Sequence, residues 1–214
     1  MQQFIPQLSK ALNQPLPGLD AQLKLAHGSR KGLHGYPKDA RKAAVLALFF
    51  PKENDWHLAL IQRAAHEKDH HAGQISFPGG RHEVGDPDFR YTALRETEEE
   101  IGVEANKISI LGNLSSLYIP VSNFLVHPYV GYVDFIPDFQ PELSEVAQIL
   151  ELPFSAFLVE QAIGTMRLEL PNRIILEEVP HFNIKNHIIW GATAMMMSEL
   201  VTVAQSVRQH IPYR

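Results

Sequence analysis

GGRHEVGDPDFRYTALRETEEEIGV, residues Gly79 to Val103, decides how this 214-residue chain is read. Asp86 offers an N-cap acceptor and Pro87 suits the first helical position, so a helix is expected to start there. Gly102 suits the left-handed position that ends one. Between them Ala93, Thr97 and Ile101 fall on one stripe, with Leu94 beside it, and are expected to face a core. Glu96, Glu99 and Glu100 stand at i, i+3 and i+4 and share a different face. Together with Glu98 they crowd the helix C-terminus, where carboxylates oppose the macrodipole. Like charges at these spacings repel by roughly 0.2–0.5 kcal/mol per pair. A local rule broken this hard marks a site whose stabilisation comes from elsewhere. Hard oxygen ligands on one rigid ridge suit Mg²⁺ or Mn²⁺; the alternative is a solvated acidic helix end.

The rest of the composition narrows the function classes. A net charge of −5 argues against a broad nucleic-acid binder. The absence of cysteine excludes disulfides and thiolate zinc sites and fits a reducing compartment. No apolar run approaches membrane-spanning length and no signal-peptide pattern opens the chain, so a cytoplasmic protein without a membrane partner is expected.

In chain order, residues 1–40 read as a loop-rich extension and 41–214 as one catalytic-size domain. Phe4, Ile5, Leu8 and Leu12 could line a short amphipathic helix that stops before Pro15. From Pro15 to Pro37 glycine and proline dominate, and Arg30, Lys31, Lys38, Arg41 and Lys42 make this region mildly basic. These charges are either solvated surface or contacts for a substrate phosphate. Ala43–Phe50 is a continuous apolar run of strand length, and Trp56–Arg63 alternates like its partner, with Pro51 to Asp55 as the turn. Two more strands are expected on either side of Pro120–Asn123. Ser144–Leu158 holds Glu145, which is either a surface residue or a further metal ligand or base. Strands are expected over Arg167–Leu170 and Ile174–Ile184. A terminal helix is expected to open at Ile189-Trp190 and run to about Gln209. Met195, Met196 and Met197 read as core packing, and this helix and the apolar strands could serve a homodimer.

One motif misleads. His66-Glu67-Lys68-Asp69-His70 matches the HExxH pattern of zinc proteases. No helical context surrounds it, because Gly73 and Pro78-Gly79-Gly80 follow at once, and a solvated loop is the better reading.

The acidic helix resembles the Nudix box, Gly-x5-Glu-x7-Arg-Glu-U-x-Glu-Glu-x-Gly-U with U a bulky apolar residue. Gly80 fits its first glycine, and Arg95 through Val103 fit its second half, with Thr97 at an apolar position. Asp86 stands where the box has glutamate, and eight residues rather than seven separate it from Arg95. Upstream, Arg63-Ala64, His71-Ala72-Gly73-Gln74 and Phe77-Pro78-Gly79-Gly80 are similar to the signature of coenzyme A pyrophosphatases, with Lys68 nearest to that signature's second basic position. Ile189-Trp190-Gly191-Ala192-Thr193-Ala194 is also typical of that subgroup. The resemblance implies an α/β/α sandwich around a mixed β-sheet. It implies Mg²⁺ or Mn²⁺ on Glu96, Glu99 and Glu100, with Arg95 orienting a neighbouring glutamate and Glu99 or Glu145 taking a proton from water. Arg63, Lys68, His71, Gly73, Gly79 and Gly80 would line the substrate. The implied substrate is a nucleotide-type small molecule, coenzyme A first. Two alternatives stay open here: another nucleoside diphosphate or triphosphate, and a Nudix module that binds a nucleotide without cleaving it.

Overall fold

The computed structural model describes residues 3–30, 35–64, 73–169 and 174–208. The first half contains α1 (Phe4–Leu12), α2 (Gly18–Gln22), β1 (Arg41–Lys52), β2 (Asp55–Arg63), β3 (Ile75–Ser76), β4 (Gly79–Arg81) and α3 (Phe89–Ile101). The second contains β5 (Ser109–Asn113), β6 (Leu117–Ile119), β7 (Phe124–Tyr132), β8 (Val146–Pro153), β9 (Ile163–Glu169), β10 (Ile175–Ile184), β11 (His187–Trp190) and α4 (Gly191–Arg208).

β1 is the centre because its apolar run is covered on both faces, as unbroken apolarity in a strand requires. Ala44, Leu46, Leu48 and Phe50 pack under α3 with Ala93 and Ile101. Ala43, Ala47 and Phe49 join the opposite cluster with Leu8 and Leu12 of α1 and Met195, Met196 and Leu200 of α4. Phe4, Phe49 and Phe154 meet there with ring centroids 4.9–5.8 Å apart. The sheet is mixed: β1 runs parallel to β7 and antiparallel to β2, with β8 antiparallel to β2 and β5 and β6 antiparallel to β7. Helices on both faces make this the expected α/β/α sandwich. A smaller antiparallel sheet, β11-β10-β9, packs beside α4.

Several local expectations change. The β1–β2 turn is only Glu53-Asn54, both left-handed (φ 51° and 60°), so Lys52 already pairs with Asp55 and Pro51 stays in the strand. The Pro15–Pro37 segment is not all loop, because α2 docks on α4. Glu199 of α4, fully buried, accepts hydrogen bonds from Gly18 N (3.1 Å), Gln22 Nε2 (2.8 Å) and Ser115 N (3.2 Å). Ile189-Trp190 does not open the helix; it ends β11, which pairs with β10 across the left-handed Lys185-Asn186 turn. An apolar run such as IIWGATAMMM hides that boundary, since periodicity alone cannot separate a buried strand from a buried helix. Among the described residues no helix is long and apolar enough to cross a membrane.

The feature that matters for the site is a wedge. Past Leu48 and Ala59, β1 and β2 stop pairing with each other. β3 pairs with β2 and β4 with β1 instead, and Leu46 N donates to Pro78 O at 2.9 Å.

Candidate active site

The wedge needs its glycines. A Cβ on Gly79 (φ 149°) would lie 2.3 Å from the Ala44 carbonyl oxygen and 2.5 Å from the Val45 Cα. A Cβ on Gly80 would lie 2.3 Å from Glu96 Oε2. Bare backbone therefore slides between β1 and α3, and Gly79 N–H donates to Glu100 Oε2 at 2.7 Å.

The N-cap of α3 is Asp88 and not Asp86: Asp88, extended at φ −159°, accepts from Tyr91 N at 2.7 Å. Asp86 is thereby left for another task. Its side chain, only 3% exposed, accepts from Arg95 Nε and Nη2 (both 3.0 Å), Thr92 Oγ1 (2.9 Å) and Glu83 N (3.0 Å). The Arg95 hydrogen bonds hold the Asp86 carboxyl well below the usual carboxylate range, against its burial. Arg95 also reaches Glu96 Oε1 at 2.9 Å and Glu99 Oε2 at 3.0 Å. One guanidinium thus ties a buried acid to two of the box glutamates.

The three glutamates do not sit alike. Glu99 is exposed, Glu96 half-buried, and Glu100 belongs to the core face with Thr97 and Ile101, 2% exposed. Burial pushes Glu100 up to about 8; Glu96 and Glu145 push the same way, and the Gly79 N–H and Arg63 oppose. Burial also raises Glu96, opposed by Arg95 and reinforced by Glu99 and Glu145. Glu145 therefore lies in the field of both. Gln140 N and Glu142 N donate to the carbonyls of Ile101 (3.0 Å) and Glu100 (3.1 Å), which caps α3 and leads the chain to Glu145. Ala64 N then donates to Glu145 O at 2.8 Å, and Gly73 N to Arg63 O at 3.1 Å.

One end of the sheet thus brings together Arg63, Gly73, Gly79, Gly80, Arg95, Glu96, Glu99, Glu100 and Glu145. Lys68, His71 and the His66–His70 pattern lie outside the described residues. The sequence reading missed the Asp86–Thr92–Arg95 cluster and the Gln140–Glu142 cap. The unexplained aspartate nine positions before Arg95 was the signal for the first, and nothing local signals the second.

A family model for the NUDIX domain matches residues 40–167. The chain belongs to the Nudix family. It is 34% identical over 165 residues to the uncharacterized Nudix hydrolase NudL of Photorhabdus laumondii, covering 77% of this chain and 86% of that protein. It is likewise 34% identical over 170 residues to the NudL of Yersinia pestis, covering 78% and 81%. Two solved structures are similar in fold. The Nudix hydrolase RenU of M. smegmatis has a TM-score of 0.52 at 12% identity, covering 82% of this chain and 90% of that one. A MutT/nudix family protein of Enterococcus faecalis has 0.50 at 16%, covering 97% and 76%. The protein is therefore a Nudix pyrophosphohydrolase for nucleotide-type substrates.

Nudix hydrolases generally use divalent metals. The donor chemistry of this Nudix helix fits such an ion: hard carboxylates, one so buried that it remains ionised near neutral pH only beside compensating positive charge. Among the described residues no three His, Cys, Asp or Glu side chains are gathered into a metal-holding group. Arg95 holds Glu96 and Glu99, and the Gly79 N–H holds Glu100.

Proposed function

We propose that this Nudix enzyme hydrolyses the diphosphate linkage of coenzyme A or a derivative, giving 3′-phosphoadenosine 5′-phosphate and 4′-phosphopantetheine, with Mg²⁺ or Mn²⁺ as cofactor. The observation that carries this reading is the position of the run from Gly73-Gln74 to Phe77-Pro78-Gly79-Gly80. It resembles the coenzyme A subgroup in sequence, and it lies between Arg63 and the box glutamates.

Glu96, Glu99 and Glu100 would hold the cation, with Glu96 and Glu99 turning from Arg95 to do so. When bound, the ion polarises a phosphate and lowers the pKa of a water. Arg63 would face the diphosphate charge that the glutamates repel. Gly79 and Gly80, without side chains, let this backbone run close against β1 and the Glu96 carboxylate, which holds Glu96 at the cleft. Arg95, anchored on Asp86, would limit where Glu96 and Glu99 travel, a positioning role. Glu99, or Glu145 across the cleft, takes the proton as water attacks one phosphorus and the bond from that phosphorus to the bridging oxygen breaks.

A mass-spectrometric product survey tests this. Coenzyme A, acyl-coenzyme A, ADP-ribose, NADH and nucleoside triphosphates are offered with Mg²⁺ or Mn²⁺, beside an EDTA control and Glu99→Gln. Phosphopantetheine released from coenzyme A, and lost in both controls, is the expected result. Survival of coenzyme A while another diphosphate is cut would overturn the substrate assignment and leave the chemistry standing.

A further inference from the structure

Asp86 holds Arg95, and a further side chain stands behind Asp86. His82 is the first residue past β4, where its backbone N–H donates to the Lys42 carbonyl at 3.0 Å and keeps the chain beside β1. Its ring meets Phe89 edge-on with centroids 4.8 Å apart, and Phe89 in turn stacks flat on His127 of β7 at 3.9 Å. Packed this way, the imidazole sets Nδ1 2.8 Å from Thr92 Oγ1 and 3.7 Å from Asp86 Oδ2.

Proton counting assigns the tautomer. Thr92 has one hydroxyl hydrogen and three polar neighbours among the described residues: His82 Nδ1 at 2.8 Å, Asp86 Oδ2 at 2.9 Å and the Asp88 carbonyl at 3.2 Å. The carboxylate and the carbonyl can only accept. Were Nδ1 an acceptor too, a hydroxyl turned to it would set oxygen lone pairs against the Asp86 carboxylate. A hydroxyl turned to Asp86 would set them against the imidazole lone pair. With a proton on Nδ1, the ring donates to Thr92, the hydroxyl donates to Asp86, and both short contacts are satisfied. The negative charge of Asp86 beside the ring favours the same proton position.

The consequence runs to the glutamates. Asp86 grips Arg95 through Nε and Nη2, each at 3.0 Å, which leaves Nη1 facing Glu96 Oε1 (2.9 Å) and Glu99 Oε2 (3.0 Å). The plane of the guanidinium, and so the place where both glutamates wait, follows the plane of the Asp86 carboxylate. Without the His82 donor the Thr92 hydroxyl is free to turn to the Asp88 carbonyl, and Asp86 Oδ2 loses a donor.

We propose that His82 is a positioning residue of the Nudix site: its Nδ1–H holds the Thr92 hydroxyl on Asp86 and so fixes the Arg95 fork that aims Glu96 and Glu99. This rests on the reading of Glu96 and Glu99 as cation ligands and is independent of which diphosphate is cut.

The test combines NMR with kinetics on the full chain. In ¹⁵N spectra at neutral pH, His82, assigned by its absence from His82→Asn, should carry a proton on Nδ1; a proton-free Nδ1 overturns the proposal. The Arg95 Nε–H resonance should move in His82→Phe and return in His82→Asn, whose amide donates from the place of Nδ1. With Mg²⁺ and coenzyme A, or ADP-ribose if coenzyme A is not cut, His82→Phe should lower kcat about five- to tenfold and change KM by less than about twofold. His82→Asn should recover most of that loss. Thr92→Val should lower kcat to a similar extent, and the double variant no further, because both changes remove one link. An unchanged kcat, a loss that asparagine does not recover, or losses that multiply in the double variant overturn the proposal. If the wild type cuts neither substrate, the catalytic reading fails instead, and the two NMR measurements decide whether His82 positions Arg95.

Discussion

Asp86→Asn is the most informative single change, because the geometry fixes its outcome from two sides. Oδ1 accepts from Arg95 Nε, and Oδ2 accepts from Arg95 Nη2, Thr92 Oγ1 and Glu83 N. An amide therefore sets its NH₂ against at least one donor in either orientation, and the charge opposite Arg95 is gone. Removing one partner of a buried pair costs about 3–5 kcal/mol. Arg95 is 18% exposed and keeps Glu96 and Glu99, so about 3 kcal/mol is expected. At about 2–4 °C per kcal/mol for a chain of this size, Tm should fall by roughly 6–12 °C. The sign with pH follows from the depressed carboxyl. Its stabilisation is complete above the unfolded value of about 3.9 and is lost as pH falls through the lower folded value. The Tm gap between wild type and variant should hold from neutral pH down to about 5 and narrow in stronger acid. Thermal melts across that range, with Asp86→Glu as the charge-retaining partner, measure it. A gap under about one degree at neutral pH, or one that widens on acidification, would refute the reasoning.

Other residues give separate expectations. Gly80→Ala puts a methyl 2.3 Å from Glu96 Oε2. The carboxylate must swing away, so kcat should drop by about tenfold or more while circular dichroism stays native. Glu100→Gln keeps an oxygen for the Gly79 N–H but loses a charged ligand. Turnover with Mg²⁺ should fall by about a hundredfold, read by product release, with no loss of thermal stability. Glu199→Ala leaves the donors on Gly18, Gln22 and Ser115 without their acceptor. Urea unfolding should show a loss of about 3 kcal/mol or more, while the folded fraction keeps its activity.

The sequence by itself determined the central strand, the acidic helix and the family. The first two are local patterns: eight apolar residues in a row from Ala43 to Phe50, and a glycine at 102 closing a helix with Arg95, Glu96, Glu99 and Glu100 at fixed spacing. Backbone geometry turns such spacing directly into shared faces, so no distant contact is needed to read it. The choice of Asp88 over Asp86 as cap depended on which acid the distant Arg95 claims. The unequal burial of Glu96, Glu99 and Glu100 depended on how the Gly79-Gly80 wedge meets the helix. β11 was obscured because burial removes the polar punctuation that marks a boundary. Glu145 reaches the cleft because the carbonyls at the end of α3 are capped by Gln140 and Glu142, which carry the chain back to β8 beside Arg63. Those placements are decided by packing and hydrogen-bond partners far apart in sequence, which only the tertiary structure brings together.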